Sequence, residues 1–421
     1  MRRSSLTSFL AFGLLFPLTP TVQAQTASQS LDAAWISACA GATSGTHFFD
    51  RCQEILNAGP GSGNRRSAAA LGNNLETFAV QGRVMMAIAR RRTAVARAAQ
   101  EKSDNSSDNF SEWSNHATEA ESSNLAEGNR WALFGSFSHS NSDRSDTDFE
   151  RGYDDTGNSY LLGIDYRFNN HWTGLIAMQR ESRDIGFNRL SGSMDTDTDI
   201  LSAVIAYNAD NGFSANLGLN TGRSESTLRR EISYTLTLNA GQPNESTVTI
   251  NSRGLSESES TMRGADLNLG WEQSRDEWTF RYNGGLSLLK TEVGRIAENN
   301  DVGLDFLVFD QEVSSLQAML GFEVARTVSS KAGVFQPYFR AIWRHEFQDD
   351  PRRIFNVFRG GDQIFRLSYV TGEPDRNFGD IGIGITGIFP HGWQAYAGWQ
   401  RSVGHSQLSE NRFDLGWRRE F

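Results

Sequence analysis

The sequence predicts an all-β transmembrane fold, a twelve-stranded antiparallel β-barrel of the kind found in bacterial outer membranes. Apolar and polar residues alternate with period two from Trp131 to the C terminus, and short connections alternate with long ones. The last strand places Phe413, Leu415, Trp417 and Phe421 on one face. Such a regular apolar face is unusual at the end of a chain, because chain termini usually fray. A closed barrel requires such a strand, because its last strand must pair with its first to remove every edge.

The N terminus has the features of a secretory signal peptide. Arg2 and Arg3 precede an apolar run over residues 9–18, and the small residues of Val22-Gln23-Ala24 permit cleavage after Ala24. This run is too short for a membrane-spanning helix, which needs about 20 residues. We therefore expect residues 1–24 to be removed and the mature chain to begin at Gln25, in the outer membrane of a Gram-negative cell.

Residues 25–64 form a short segment that contains both cysteines of the chain. In an exported protein, Cys39 and Cys52 are expected to form a disulfide. A metal site would need two further ligands, and His47 is the only candidate nearby. Fewer than about 40 residues seldom fold without such a cross-link, so we expect the disulfide to staple this segment.

Residues 65–102 are rich in Ala, Arg and Leu, lack proline and predict a basic helix, most clearly from Arg66 onward. One stripe of this helix is apolar, and Arg83, Arg90 and Arg97 form a second stripe at seven-residue spacing. A solvated amphipathic helix is the alternative interpretation. Residues 103–129 are Ser-, Asn- and Glu-rich and predict an acidic linker before the barrel at 130–421.

The alternating pattern divides the remaining chain into twelve predicted strands with tight turns such as 169–171 and 390–392. The longest predicted connections are 224–260 and 348–378. An even strand number returns both ends of the barrel to one side of the membrane. The predicted strands are 131–139, 159–168, 172–180, 199–208, 213–223, 261–273, 278–292, 314–326, 333–347, 379–389, 393–403 and 409–421.

Aromatic residues cluster where the predicted strands begin or end, for example Trp131, Trp172 and Trp393. Such residues form girdles at the two membrane–water boundaries. A soluble β-sandwich with aromatic core residues would not require the signal peptide, the terminal Phe421 and the loop asymmetry together. Arg419 stands where an aromatic residue would be more usual.

The chain resembles the C-terminal β-domain of bacterial autotransporters, the monomeric class of type V secretion, most clearly in its last third. The resemblance covers Trp131 to Phe421. It rests on Gln336-Pro337-Tyr338 at the start of one strand, the stretch 373–379 before another, the turn at 389–393 and the terminal phenylalanine.

This resemblance implies a helix threaded through the barrel lumen, for which residues 65–102 are the candidate. Its arginines would pair with inward carboxylates such as Asp165, Asp266, Glu323 and Asp414. The acidic linker departs from the family pattern, so part of 105–128 is the alternative occupant of the pore. The resemblance also implies insertion by the barrel assembly machinery, which reads the terminal strand, after passage with periplasmic chaperones.

The expected function is that of a translocator that carries a minimal N-terminal passenger across the outer membrane. We expect a monomer in contact with lipid and lipopolysaccharide, without a cofactor. The net charge of −10 argues against a surface that coats nucleic acid. The alternative is a plugged, porin-like barrel that acts as an adhesin or receptor.

Catalytic chemistry has few candidates. Asn73-Asn74 resembles the junction at which some autotransporters cleave themselves by asparagine cyclisation, although helix packing or exposure would also explain the pair. A barrel hydrolase could use only His405-Ser406 with Asp350 or Asp375. No familiar hydrolase motif is present, so we expect no enzymatic activity.

Overall fold

The computed structural model describes residues 25–58, 69, 72–91, 130–359 and 366–421. Its main sheet contains twelve long antiparallel strands and one short strand, β11, in a hairpin with β12. The strands in chain order are β1 (Trp131–Arg144), β2 (Tyr153–Arg167), β3 (Trp172–Phe187), β4 (Gly192–Asn208), β5 (Phe213–Leu238), β6 (Ser246–Arg275), β7 (Trp278–Val293), β8 (Ile296–Ala297), β9 (Phe306–Val308), β10 (Gln311–Arg326), β11 (Val328–Ser330), β12 (Gly333–Glu346), β13 (Arg353–Phe358), β14 (Arg366–Val370), β15 (Asn377–Phe389), β16 (Trp393–Val403) and β17 (Leu408–Glu420).

The barrel is closed by pairing of its first and last strands. β1 and β17 run antiparallel in continuous register from Ala132 opposite Glu420 to Arg144 opposite Leu408. Each of the other long strands pairs with its neighbours in chain order. The predicted twelve-stranded barrel and the role of the terminal strand in its closure are therefore confirmed.

The predicted face of the terminal strand also points outward. Phe413 and Leu415 are both 55% exposed on the outer surface, whereas Arg418 on the opposite face is buried. At the end of the barrel with short turns, outward aromatic rings touch across strands, with Trp131 4.6 Å from Tyr166 and Trp172 5.0 Å from Tyr207 between ring centroids. We call this the short-turn end and the opposite end the long-loop end.

Two strands are much longer than the sequence pattern suggested. β5 has 26 residues and β6 has 30, whereas about ten suffice to cross a bilayer. The predicted connection over 224–260 is wrong, because only residues 239–245 separate the two strands. The barrel wall therefore extends beyond a hydrocarbon core by roughly 40 Å at this hairpin.

The polarity of the wall inverts along these strands. In the lower part of β5, the outward residues Leu217 and Leu219 are apolar and exposed, while the inward Asn216 is buried. Further up, Ile232 and Leu236 point inward and are buried, and the outward face is polar. The inversion marks the change from a lipid-facing wall to one that encloses a protein core.

In the described residues before the barrel, three helices are defined: α1 (Ala27–Ala40), α2 (His47–Asn57) and α3 (Thr77–Arg91). The side chains of Thr26 and Gln29 form a capping box that starts α1, and Thr46 caps α2. Within the range predicted to be helical, the described helix α3 begins at Thr77, and Asn74 just before it adopts a φ of +49°, which is not helical. Residues 92–102 lie outside the described part of the chain.

Candidate functional site

The long-loop end is covered by a compact assembly that we call the cap. It comprises α1, α2 and a second sheet with strand order β14-β13-β9-β8, which is supplied by the loops after β7 and β12. Backbone hydrogen bonds join these parts, from Val370 to the Gln25 carbonyl (3.1 Å) and from Asn239 to the Asn57 carbonyl (3.2 Å). The N-terminal segment is thus paired with the loops of the barrel.

The cap and the upper barrel share one apolar core. Phe358 lies at its centre, with ring centroids 5.4 Å from Trp35, 5.0 Å from Phe48 and 4.4 Å from Phe306. Burial of each such side chain stabilises the assembly by about 1.5–3 kcal/mol. Other buried members come from every part of this end of the molecule: Leu31, Ile55, Phe78, Met85, Ile232, Leu289, Val293 and Tyr369.

The predicted disulfide is present. Cys39 and Cys52 are bonded, with their Cα atoms 5.3 Å apart, and link the end of α1 to the middle of α2. Cys52 is buried in the shared core. The cross-link therefore fixes the angle at which the two helices meet the loops.

Helix α3 lies inside the upper lumen. Its Gln81 donates a hydrogen bond to Ser258, an inward residue of β6. Arg83 donates to Glu150 (2.5 Å) and to the Gly372 carbonyl (2.5 Å). Glu150 also pairs with Arg144 at the end of β1 (3.2 Å). These contacts tie the helix to the barrel wall.

The expected partners of the helix arginines lie elsewhere. Arg83 pairs with Glu150, which sequence reasoning did not select. Glu323 accepts hydrogen bonds from Arg281 and Arg340 of neighbouring strands, at 2.6 and 2.7 Å. The other three carboxylates also accept hydrogen bonds from residues of the barrel wall: Asp165 from Arg418, Asp266 from Asn220 and Ser287, and Asp414 from Ser138 and Arg412. The side chain of Arg90 and all of Arg97 lie outside the described residues.

A buried ion pair at the base of the cap escaped sequence analysis. Arg230 and Glu298 have fully buried side chains and form a two-pronged pair. The guanidinium also donates to the carbonyl oxygens of Asn73 and Leu304 (the latter at 3.1 Å), and it lies 5.4 Å from the centre of the Phe78 ring. One inward arginine thus connects the barrel wall, a loop and the N-terminal segment.

The Asn73-Asn74 pair lies inside this contact region. The Asn73 side chain is buried and donates from Nδ2 to the Ala69 carbonyl (2.6 Å). Asn74 donates to the Glu231 carbonyl (2.7 Å) and accepts from Arg151 (2.9 Å). Cyclisation requires Nδ2 to attack the carbonyl carbon of its own residue, but here this amide is hydrogen-bonded to another carbonyl.

A carboxyl group close to the asparagine pair is also buried. Glu76 lies 3.9 Å from Arg151, and burial raises the pKa of its carboxyl despite this nearby positive charge. Tyr369 from the second sheet donates to the adjacent Leu75 carbonyl (2.8 Å). The turn before α3 is therefore held by side chains of the barrel and its loops.

The candidate hydrolase residues meet, but not as a catalytic triad. His405 Nδ1 lies 3.0 Å from Asp375 Oδ2, and Ser406 Oγ donates to Asp375 Oδ1 at 2.6 Å. The serine therefore bonds the carboxylate rather than the imidazole, so the imidazole does not activate it as a nucleophile. His405 and Ser406 lie in the loop between β16 and β17 rather than on a strand. Asp350 forms no described contact with either residue.

A cavity of about 490 Å³ lies between α3 and the loops that carry Asp375 and His405. Polar and charged side chains line much of it, among them Arg83, Arg144, Arg352, Asp375 and His405. Within the described residues, no group of three or more His, Cys, Asp or Glu side chains is arranged to hold a metal ion. The helices in the described ranges include none that is long and apolar enough to cross a membrane.

Comparisons with known proteins agree with this architecture. A family model described as "Autotransporter beta-domain" matches residues 133–400. The translocator domain of the autotransporter NalP from Neisseria meningitidis has a TM-score of 0.53 and 14% identity, with coverage of 74% of this chain and 96% of that one. The Bordetella BrkA β-domain gives a TM-score of 0.46 at 17% identity, covering 69% of this chain and all of that one. The AIDA-I transport unit from Escherichia coli gives a TM-score of 0.40 at 16% identity, covering 71% of this chain and 92% of that one.

No curated protein sequence matches the chain. The family match nevertheless spans well over half of the 421 residues, and the likeness to the NalP domain covers the barrel fold. Together with strand closure and the outward apolar band, these findings identify an outer-membrane translocator barrel. The chain belongs to the autotransporter β-domain family.

Proposed function

We propose that the barrel carries its own N-terminal segment, residues 25–58, across the outer membrane and retains it as part of the folded cap at the cell surface. The observation that carries this proposal is the position of α1 and α2 at the long-loop end, whereas β1 starts at the opposite end. Short turns of such barrels face the periplasm and long loops face outward. The cap then lies outside the cell.

The passenger in this proposal is a part of the folded barrel rather than a released product. Its core residues Trp35 and Phe48 are buried against loop residues, so separation would expose these apolar rings to water. The hydrogen bonds that hold Asn73 and Asn74 also favour an uncut chain. We infer that the purified protein has its intact mature mass from Gln25; a fragment beginning at Asn74 would contradict this.

Delivery to the membrane follows the route that the sequence indicates. Residues 1–24 act as a signal peptide cleaved after Ala24, periplasmic chaperones hold the unfolded chain, and the barrel assembly machinery reads the outward residues of β17. The protein acts as a monomer in contact with phospholipid and lipopolysaccharide, uses no cofactor, binds no nucleic acid and catalyses no reaction.

Epitope insertion in intact cells tests the sidedness. We would place one epitope at Gln29, a second at Gly241 in the loop between β5 and β6, and a control at Asp210 in a short turn. The proposal predicts antibody labelling at Gln29 and Gly241 and none at Asp210 until the outer membrane is opened. Labelling of Gly241 alone would show that the N-terminal segment remains in the periplasm.

A second function is favoured by the closed long-loop end. A barrel whose upper lumen is filled by α3 and covered by the cap could act as a plugged surface adhesin or receptor, with the long loops as its binding surface. Single-channel recordings test the plug. The intact protein should conduct poorly, and a variant without residues 25–58 should open more often. Equal conductance would show that residues 25–58 do not contribute to the plug.

A further inference from the structure

One lipid-facing residue breaks the apolar pattern of the terminal strand. Arg419 lies on the outer face of β17 at the short-turn end, opposite Leu133 on one side and Trp393 on the other. Its neighbours on the same face of the strand are Trp417 and Phe421, and its side chain is exposed. A permanent positive charge therefore lies at the rim of the hydrophobic band.

Two aromatic rings hold the Arg419 guanidinium. Its central carbon lies 5.1 Å from the centre of the Trp393 ring and 5.4 Å from that of Phe421. Such cation–π contacts orient the planar group but use none of its five N–H donors. Among the residues that the structure describes, no carboxylate lies within 4 Å of Arg419 and none accepts a hydrogen bond from it.

A second rim arginine provides a contrast within the same molecule. Arg326 ends β10 at the short-turn end, points outward and lies 5.8 Å from the centre of the Trp278 ring. Unlike Arg419, it donates from Nε and Nη2 to Glu277, at 3.0 and 2.7 Å. The barrel thus supplies a carboxylate for one stacked arginine, whereas no described residue accepts a hydrogen bond from the other.

The surroundings of Arg419 determine what can meet these donors. A guanidinium at the edge of a bilayer extends toward the headgroups, where the anionic acceptors are lipid phosphates. Its planar fork matches the paired oxygens of a phosphate. We propose that Arg419, held between Trp393 and Phe421, binds the phosphate of a phospholipid in the leaflet next to the short turns.

Native mass spectrometry of the full mature chain in detergent tests this proposal. Phosphatidylethanolamine is titrated in one arm, diacylglycerol in a second and inorganic phosphate in a third. The unmodified protein should retain one phospholipid and no diacylglycerol. Arg419→Phe, which places an aromatic residue at this position, should bind the phospholipid about tenfold more weakly, because it lacks a charge-assisted hydrogen bond.

Arg326→Phe is the matched control, since it removes an equivalent rim arginine that already has a protein partner. Its phospholipid affinity should equal that of the unmodified chain. If Arg419→Phe fails to assemble, Trp393→Leu removes the stacking partner, keeps the charge and should still weaken binding. Equal affinity of both arginine variants, or equal retention of diacylglycerol, would overturn the proposal. If inorganic phosphate displaces all of the bound phospholipid at equal concentration, the proposal that the phosphate comes from a lipid would be overturned.

Discussion

At the scale of single residues, the cap depends on Arg230. This side chain is fully buried and pairs with Glu298 while it also bonds the Asn73 carbonyl. A buried charge that loses its partner is not solvated, so removal of one member costs more than the pair contributes. The residue therefore couples the attachment of the N-terminal segment to the correct seating of the loop after β7.

We expect Arg230→Met to destabilise the cap by about 3–5 kcal/mol, because Glu298 would remain buried without its partner. Hydrogen exchange of the α1 amides should accelerate at least roughly 100-fold. Arg253→Met is the control, since Arg253 pairs with Glu231 on the exposed outer face and should change exchange little. Unchanged protection of α1 in Arg230→Met would show that the ion pair does not hold the cap.

Asp375 gives the loop before β17 a dependence on pH. Burial raises the pKa of this carboxyl, but hydrogen bonds from His405 and Ser406 outweigh burial and hold the pKa well below its usual range. A carboxyl with a lowered folded pKa stabilises the structure above its unfolded pKa, about 3.9, and loses this contribution as pH falls further.

The amides of residues 404–407 should accordingly remain protected at pH 5 and become less protected below about pH 4. Asp375→Asn should lower their protection at neutral pH and remove most of this acid dependence. Hydrogen exchange measured across this pH range provides the test. Identical acid profiles for the two proteins would assign the transition to other carboxyl groups.

At the scale of elements, the disulfide staples a segment that has no independent core. Closure of a loop of about 15 residues stabilises a fold by about 3 kcal/mol in the chain-entropy model. A double Cys39→Ser and Cys52→Ser variant should keep the barrel, whose strands pair without the cap, and lose protection of α2 against protease. A change in gel mobility on heating reports whether the barrel is folded. Loss of the barrel itself would contradict the expectation that the disulfide stabilises only the N-terminal segment.

The elements also show how far sequence reasoning extends. The alternation in β17 predicted both its outward face and its place in closure, because lipid demands apolar residues at every second position. The same rule failed above Arg223 in β5, where the outward residues become polar. Period two persists there with Ile232, Tyr234 and Leu236 directed inward, and this inverted polarity was the signal that could have revealed the longer strand.

The site was less predictable than the barrel. Cys39 and Cys52 could be paired because they are the only cysteines of an exported chain. No local pattern marked Arg230, Glu298 or Glu150, because their partners are distant in sequence. Arg230 and Glu298 are 68 residues apart, and Arg83 and Glu150 are 67 residues apart. Their roles arise from tertiary packing of loops over the lumen, which periodicity does not encode.

At the scale of the whole molecule, two cores of opposite polarity share one sheet. The lower barrel faces lipid outward and encloses polar side chains, whereas the upper barrel faces water and encloses an apolar core completed by α1, α2 and α3. The N-terminal segment is needed to fill that upper core. Under the proposed function, this division is the reason that the barrel retains the segment.

Cleavage of the chain between α2 and α3 tests this central claim most directly. A protease site is inserted between residues 59 and 64, and intact cells are treated with a membrane-impermeant protease. We predict that the chain is cut and that the fragment carrying α1 and α2 stays on the cells. A Trp35→Ala, Phe48→Ala variant should release it, since each truncation costs about 3–5 kcal/mol of packing.

Release of the fragment from cells whose protein keeps Trp35 and Phe48 would contradict the proposal that packing holds α1 and α2 on the barrel. Cleavage only after the outer membrane is opened would contradict its position at the cell surface.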